Sequence, residues 1–339
     1  MGKNATLKDI AKICECSVTT VSRALKDSDT ISIALRRKVK QTADELGYIP
    51  NSIASSMRTG FTKIIAIILQ DFRNPFYSIM AKNIELHAHA LGYSTLFLTT
   101  SESTQREVEA VTTVISKNVD GILLFPIQRD DKSARLLLQK QIPFVLVGRC
   151  FDHLDTNYVV TDDEYGAYIV TKHLLEKGRR KILFLNTHSF IYSARKRQEG
   201  YLRALEEYHL AHQADILEVS MEYGESGKAV KQLFQDKSAN QYDAILTYCD
   251  LIGFETYFSL NQLGYRIPED IALASIDDIH SDIIMPVHMT GAGCDRNAMA
   301  KEAVNLLMRI IQNEASESPA PLTDNKIMID QYLVVGETT

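Results

Sequence analysis

Nothing in the 339-residue chain is apolar for long enough to span a bilayer, and Met1 to Lys12 lacks the hydrophobic centre of a secretory leader. The expectation is a cytoplasmic protein with no membrane contact. Cysteine is scarce: Cys14, Cys16, Cys150, Cys249 and Cys294 are odd in number and scattered, which excludes a disulfide framework. The Cys14-x-Cys16 pair has no second pair at zinc-site spacing, so free thiols are expected and no metal. Catalytic signatures are missing too: there is no H-E-x-x-H, no G-x-S-x-G, no P-loop, and no G-x-G-x-x-G after the first strand. Gly224-Glu225-Ser226-Gly227 resembles a nucleophile elbow only superficially, because it lacks the spacing. Neither an enzyme nor a cofactor is expected. Finally, positive charge is short overall, with a formal net charge of −6. That balance speaks against nucleic acid until its distribution is considered. Residues 1–60 hold ten Lys/Arg against six Asp/Glu, a head of +4, and leave −10 for the remainder. A basic head on an acidic body is the footprint of a DNA-binding module carried by a sensor.

What is present begins with Thr6 to Leu25, TLKDIAKICECSVTTVSRAL, which reads as two short helices joined by a tight turn. Thr6 can cap the first helix while Asp9 reaches back to the free amides. Leu7, Ile10, Ala11 and Ile13 are expected on its inner face, and Ala11 is small enough for close packing. Ser17 opens the second helix, whose Val21, Ala24 and Leu25 point inward. Val18, Thr19, Thr20, Ser22 and Arg23 fall on or beside the outward face. Short hydroxyls and one arginine suit a helix laid in the DNA major groove, where hydroxyls reach phosphates or base edges and Arg can grip guanine. An ordinary helical hairpin in a bundle would share much of this pattern. Residues 31–46 supply a third helix, with Ser32 near its cap and Ile31, Leu35, Val39, Ala43 and Leu46 covering the first two. Arg36, Arg37, Lys38 and Lys40 lie outside, and Gly47 closes the helix. After Tyr48-Ile49-Pro50 comes Asn51 to Arg58, one short helix capped by Asn51 and closed by Gly60. So few turns hold only when something packs on them.

This order of parts (three helices, the phrase ELGYIPN, a hinge helix, then a long α/β chain) resembles the LacI/GalR family of bacterial transcription regulators, and the resemblance runs the whole length. The texture from Lys63 agrees. KIIAIILQ, STLFLTT, DGILLF and PFVLVG are short continuous apolar runs of the kind that form strands buried on both faces, with amphipathic helices between them. A second series starts at Asp162, whose helix runs to Glu176, and its strands are KILFLN, Ile216–Val219, AILTY and IALASI. At 45% hydrophobic residues the chain can fill the cores this requires. Alternation means right-handed βαβ units and parallel sheets. The expected fold is therefore an N-terminal helix-turn-helix domain with a hinge helix, then an α/β core of two doubly wound parallel-sheet lobes like periplasmic binding proteins. The divisions are 1–50 for the head, 51–61 for the hinge and 62–339 for the core. Lobe 1 takes about 62–160 and 294–323, and lobe 2 takes about 161–293 and 324–339. The resemblance implies three crossings between lobes, with Asn297–Gln312 returning to the first and Lys326–Val335 to the second.

Ligands of open parallel sheets bind beyond the strands' carboxyl ends. The expected effector residues stand there: Asp71, Phe76 and Tyr77 in a segment similar to the family's NPFF type; Arg149 after the fourth strand; Arg197 in an R-x-x-G-Y motif; Tyr248; and Asp277 in Ser275-Ile276-Asp277-Asp278. Aromatic rings stack on sugar C–H faces, an Arg fork holds paired oxygens, and a carboxylate accepts hydroxyls. Cys249 stands where relatives carry Asn, and Asp250 is expected to cap the following helix, as is Asp162 at the crossover. Arg149, Arg195 and Arg197 together would make the pocket positive and favour an acidic or phosphorylated sugar, although surface exposure of these arginines explains the sequence equally well.

The resemblance further implies a homodimer on a pseudo-palindromic double-stranded operator. Val18, Thr19 and Arg23 would choose bases. Thr20, Ser22 and Asn51 would hold phosphates, with Thr6 also on the DNA side. Ala54 and Met57 would enter the minor groove from the hinge, Met57 as the wedge, while Ser55 replaces a common Arg. A sugar or sugar-acid effector would alter the lobe angle and hence operator affinity, through a coupling of ~1–3 kcal/mol. The rivals are a stand-alone transport-type sugar-binding module, which the head opposes, and a DNA-binding regulator controlled by a protein partner without a small effector.

Overall fold

The computed structural model describes residues 5–49, 60–236, 241–316, 323 and 325–339. The chain divides into two compact units, Met1–Thr62 and Lys63–Thr339. Asn51, Ala54, Ser55 and Met57, and with them the expected hinge helix, lie outside the described residues.

The first unit is built from α1 (Leu7–Cys14), α2 (Val18–Ala24) and α3 (Ile33–Glu45). Thr6 and Asp9 form the reciprocal cap that their spacing suggests: the Thr6 amide donates to Asp9 Oδ2 at 2.8 Å and the Asp9 amide to Thr6 Oγ1 at 3.4 Å. The turn into α2 requires Glu15 in the left-handed region, at φ 54°. Ser17 then accepts from the Thr20 amide at 3.0 Å to start α2. Ser32 caps α3, and Gly47, at φ 59°, follows its end. Ile10, Ala11, Cys14, Val21, Ala24, Val39 and Ala43 form the core. The inner face of α1 is thus centred one residue later than expected: Cys14 is buried, whereas Ile13 is 51% exposed. On a helix Ile10 and Cys14 are one turn apart and share a face, and Ile13 is rotated off it. Leu46 is likewise largely outside the core, and Tyr48 packs there in its place.

The second unit holds two six-stranded sheets of matching order. The first contains β1 (Ile64–Leu69), β2 (Ser94–Thr99), β3 (Gly121–Leu124), β4 (Phe144–Val147), β5 (Tyr158–Thr161) and β11 (Lys326–Ile329), in the order β11-β5-β4-β3-β1-β2. The second contains β6 (Ile182–Asn186), β7 (Asp215–Glu218), β8 (Ala244–Thr247), β9 (Ala272–Asp277), β10 (Thr290–Cys294) and β12 (Gln331–Val334), in the order β12-β10-β9-β8-β6-β7. Every described pairing is parallel except β10 with β12. The central strands β1, β3, β4 and β8 are almost wholly buried, as their unbroken apolar sequences require.

Helices follow eight of the strands: α4 (Pro75–Ala90), α5 (Thr104–Ser116), α6 (Lys132–Gln139), α7 (Asp163–Glu176), α8 (Tyr192–Glu207), α9 (Glu225–Phe234), α10 (Asp250–Gln262) and α11 (Arg296–Glu314). The chain passes between sheets at Asp162, at Asp295 and at Asp330, and α11 returns to pack on α4 and the first sheet. The last crossing lies later than expected. Lys326–Ile329 pairs in parallel with β5 and belongs to the first lobe, and only Gln331–Val334 joins the second. One residue separates two strands that serve different sheets, so no composition change marks the switch. Strands β5 and β10 carry no apolar signal of their own, since TGAGC has two glycines and YVVT is four residues long. Among the described residues no helix is long and apolar enough to cross a membrane.

The tightest helix crossing in the core is α7 over α8, and Gly200 makes it possible. A Cβ at Gly200 would sit 2.0 Å from the Glu164 carbonyl oxygen and 2.8 Å from the Tyr168 nitrogen, both backbone atoms that cannot move aside. Gly200→Ala should therefore destabilise the core by more than about 2 kcal/mol. An unchanged urea midpoint would mean that the two helices pack farther apart than this geometry requires.

Candidate functional site

Two surfaces carry the expected chemistry, one in each unit. In the first, α2 turns Val18, Thr19 and Arg23 to solvent, with Thr20 and Ser22 half-buried beside them. The Ser17 and Thr20 hydroxyls share a hydrogen bond of 2.8 Å within the cap. Thr6 is engaged in its own cap, where its hydroxyl donates to Asp9 at 2.7 Å. The flank of α3 is basic but partly self-paired, because Lys40 reaches Asp27 at 2.6 Å and Arg36 donates to the Asp27 carbonyl. Among the described residues Arg23 makes no such contact, and it is exposed on the outward face.

In the second unit the carboxyl ends of both sheets converge on one cleft. Six of the seven expected effector residues line it: Phe76, Tyr77, Arg149, Arg197, Tyr248 and Asp277. Asn74 caps α4 through the Phe76 amide and Pro75 occupies its first turn, so the two aromatic side chains are left to face the cleft. Their rings pack edge to face with each other at 5.3 Å and with Phe125 at 6.4 and 5.6 Å. Asp71 does not join them. It pairs with Arg73 at 2.6 Å in an adjoining outer recess shared with Glu102 and Tyr223. An i, i+2 partner of opposite charge satisfies the Asp71 carboxylate locally and holds it away from the main cavity.

Arg197 is held from several sides. Its Nε and Nη2 both lie 2.8 Å from Asp163 Oδ1, Nη1 donates to the Tyr248 carbonyl, and the guanidinium stacks over the Tyr248 ring at 4.5 Å. Asp277 stands 3.5 Å from Nη2. The fork is thus pre-positioned by a buried carboxylate, and Asp277 is free to offer oxygen to a ligand. Arg195 points elsewhere, to Asp152 at the surface, and adds no charge to the cavity. Arg149, by contrast, is 5% exposed and lies inside. Of the alternatives open for it in sequence, the cleft position is the one observed.

Asp277 has φ 125° and Asp278 φ 50°, conformations that L-residues rarely adopt. Arg296 secures both by donating to the Asp277 and Asp278 carbonyls while pairing with Asp282. Asp162 caps α7 as expected, accepting from the Tyr165 amide at 3.0 Å. Asp250 does not cap α10. It is the first helical residue, and its Oδ2 accepts from the Ile279 amide at 2.8 Å, tying α10 to the turn after β9. Burial, and then the nearby Asp277 charge, push the Asp250 carboxyl well above the usual carboxylate range. Burial also raises Asp277, against the pull of Arg197 and Arg296.

Sequence reading missed Gln70, Arg296 and Gln331, all of which line the cleft. Gln70 immediately follows β1 and could have been found from the strand-end rule. Arg296 and Gln331 follow the second and third crossings, whose placement only the fold reveals. Among the described residues no group of three His, Cys, Asp or Glu side chains could hold a metal ion.

Two family models match this chain. Bacterial regulatory proteins of the lacI family match residues 6–51, and the periplasmic binding proteins and sugar-binding domain of the LacI family match residues 62–326. The chain belongs to the LacI family. Two relatives within that family cover nearly the same length. The chain is 27% identical to the HTH-type transcriptional repressor PurR of Aliivibrio salmonicida over 318 residues, which is 92% of this chain and 94% of that one. It is 28% identical to the ribose operon repressor of Haemophilus influenzae over 311 residues, covering 91% and 92%. Solved structures of other LacI-family regulators superpose along the chain. The transcriptional regulator CelR in complex with cellobiose matches with a TM-score of 0.72 at 26% identity, covering 99% of this chain and 100% of that one. The lac repressor dimer bound to operator and an anti-inducer gives a TM-score of 0.85 at 21% identity, covering 99% of both, and shares the fold.

The raised carboxyls make a pH prediction for this LacI-family core. A carboxyl whose value is higher folded than unfolded stabilises the fold at low pH, and that contribution fades as pH rises through the folded value. The share of the melting temperature that Asp250 contributes should therefore fall as pH climbs from about 4 toward neutrality. Asp250→Asn keeps the acceptor for the Ile279 amide and should flatten that slope; a variant with the wild-type pH profile of melting would contradict the assignment.

Proposed function

We propose that the protein is a cytoplasmic, sequence-specific DNA-binding transcription regulator, a homodimeric repressor whose affinity for a pseudo-palindromic operator is set by a small molecule bound between the two lobes of its core. The observation that carries this reading is the cleft itself: strand ends from both lobes place two aromatics, an oriented arginine and a carboxylate around one cavity. Such a cavity binds a polyhydroxylated ligand by stacking on ring faces and by paired hydrogen bonds at the rim. The named relatives and neighbours supply the ligand class, since one represses a ribose operon and another was solved with cellobiose. A sugar or sugar derivative is the corresponding effector here.

In this reading Val18, Thr19 and Arg23 face base edges, while Thr20, Ser22 and Asn51 hold the backbone. Ala54 and Met57 act at the minor groove. Effector binding changes the angle between the lobes, and the two DNA-binding heads of a dimer respond through the segments that join them to their cores. No step requires bond chemistry, and the protein needs neither cofactor nor metal for it.

The test is selection of duplexes from a random library by the full-length protein at moderate salt, followed by titration of the selected duplex with and without sugars. A palindromic consensus should emerge, and the active sugar should shift operator affinity about 5- to 150-fold. Arg23→Ala should relax discrimination at one position of each half-site by about 1–3 kcal/mol. If the protein binds the selected and random duplexes equally, the reading fails.

A further inference from the structure

The three arginines of the cleft are not equivalent. Arg197 has Asp163 against it and Asp277 nearby, and Arg296 has Asp282. Arg149 is as buried as either, yet its hydrogen-bond partners are neutral: the carbonyl oxygens of Pro126, at 3.0 Å from Nη1, and Ile127, at 3.4 Å, and the Tyr248 side chain. Among the described residues no carboxylate lies within ion-pair distance of it. Glu102 and Glu107 act on it only through space. Glu102 lines the outer recess, and Glu107 gives its carboxylate to the Ile127 amide at 2.7 Å. The Tyr77 and Tyr248 phenols act on the guanidinium, and Phe76, Phe125 and Val147 line the same cavity, so the buried cation meets only neutral groups and an anion would be held strongly. The geometry is built rather than incidental. Gly148, at φ 74°, turns the chain directly after β4 so that the next side chain enters the cavity.

The neighbouring polar atoms say more about the ligand. The Tyr77 hydroxyl lines the cavity with no hydrogen-bond partner among the described residues, and burial keeps it protonated and thus a donor. Gln70 donates its amide to the Phe125 and Pro126 carbonyls at 2.9 and 3.1 Å, which aims its Oε1 away from them, and that oxygen is buried and unpartnered. The Gln331 Oε1 is also unpartnered, but it packs against Gly166 of α7. Buried acceptors without partners await hydroxyl donors from elsewhere.

On the reading of the cleft as the effector site, we infer that the effector is a hydroxylated anion, a sugar acid or sugar phosphate, whose carboxylate or phosphate is bound by Arg149. Tyr77 donates to the same end of the ligand, and a ligand hydroxyl donates to Gln70. A neutral sugar would leave the guanidinium buried without a counter-charge. An inorganic anion would leave the Gln70 oxygen unmet.

The experiment is calorimetric titration of the full-length protein with a panel of hexoses, hexonates, hexuronates and hexose phosphates, with orthophosphate alone as a further probe. At least one organic anion should bind tenfold or more tightly than its neutral parent sugar, and whether it is a carboxylate or a phosphate identifies the group. Arg149→Met should erase that preference, while Arg149→Lys, which keeps a point charge, should retain part of it. Binding of a neutral sugar at unchanged affinity in Arg149→Met, or binding of no organic anion, overturns the inference. If Arg149→Met does not fold, the wild type decides: orthophosphate must compete with the organic anion, and absence of competition counts against the site. Anion binding that leaves operator affinity unmoved would support the anion site while defeating the regulatory reading.

Discussion

The buried pair between Arg197 and Asp163 is the contact on which the core's chemistry rests. It joins the first residue of α7, just after the crossing from the first sheet, to the second turn of α8. The pair can form only because α8 presents Gly200 to the α7 backbone at a separation that no Cβ would permit. An ion pair removed from water is worth having only when its geometry is tight and its remaining donors are satisfied. Here the Tyr248 carbonyl and the Tyr248 ring take the rest of the guanidinium. The glycine of the R-x-x-G-Y motif and its arginine thus serve one end, since the glycine supplies the approach and the arginine uses it.

From that pair the cleft acquires its polarity. Asp277 is drawn toward Arg197, while Arg296 binds the backbone carbonyls of the strained turn that presents it. Asp250 stands behind, its charge disfavoured by burial and by its neighbour. The result is a site whose charged groups are mostly matched within the protein, with Arg149 as the exception. A cavity of matched charges recognises hydroxyl patterns, and a single unmatched cation adds selectivity for an anion.

Much of this was legible in the chain. Helix caps at Thr6, Ser17 and Ser32 depend on a side chain and amides two or three residues away, so local sequence suffices to find them. The apolar strands are equally plain, because burial on both faces leaves no polar residue to blur them. Arg197, Asp277 and Tyr248 were found because a motif or a strand end marked them. Local pattern failed where the partner was distant or ambiguous. Ile13 and Cys14 differ by one position on α1 and have similar apolar character, so which of them is buried depended on where α2 and α3 lie. Asp71 looked like a cleft residue by its place after β1, but a neighbouring arginine claimed it. Asp250 looked like a cap because it precedes a helix, yet an amide from the turn after β9 engages it.

The amino-acid sequence by itself determined the two-part plan, the helix-turn-helix with its polar outward face, the parallel sheets, and the set of residues at strand ends from which a site could be made. These depend on periodicity, caps and residue type, all of which act over a few residues. Tertiary structure alone decided which sheet β11 and β12 join, which arginines enter the cleft, and which of them arrives without a carboxylate. Those outcomes turn on electrostatic and steric contacts between positions tens to hundreds of residues apart, and such contacts exist only once both sheets have formed and the chain has crossed between them.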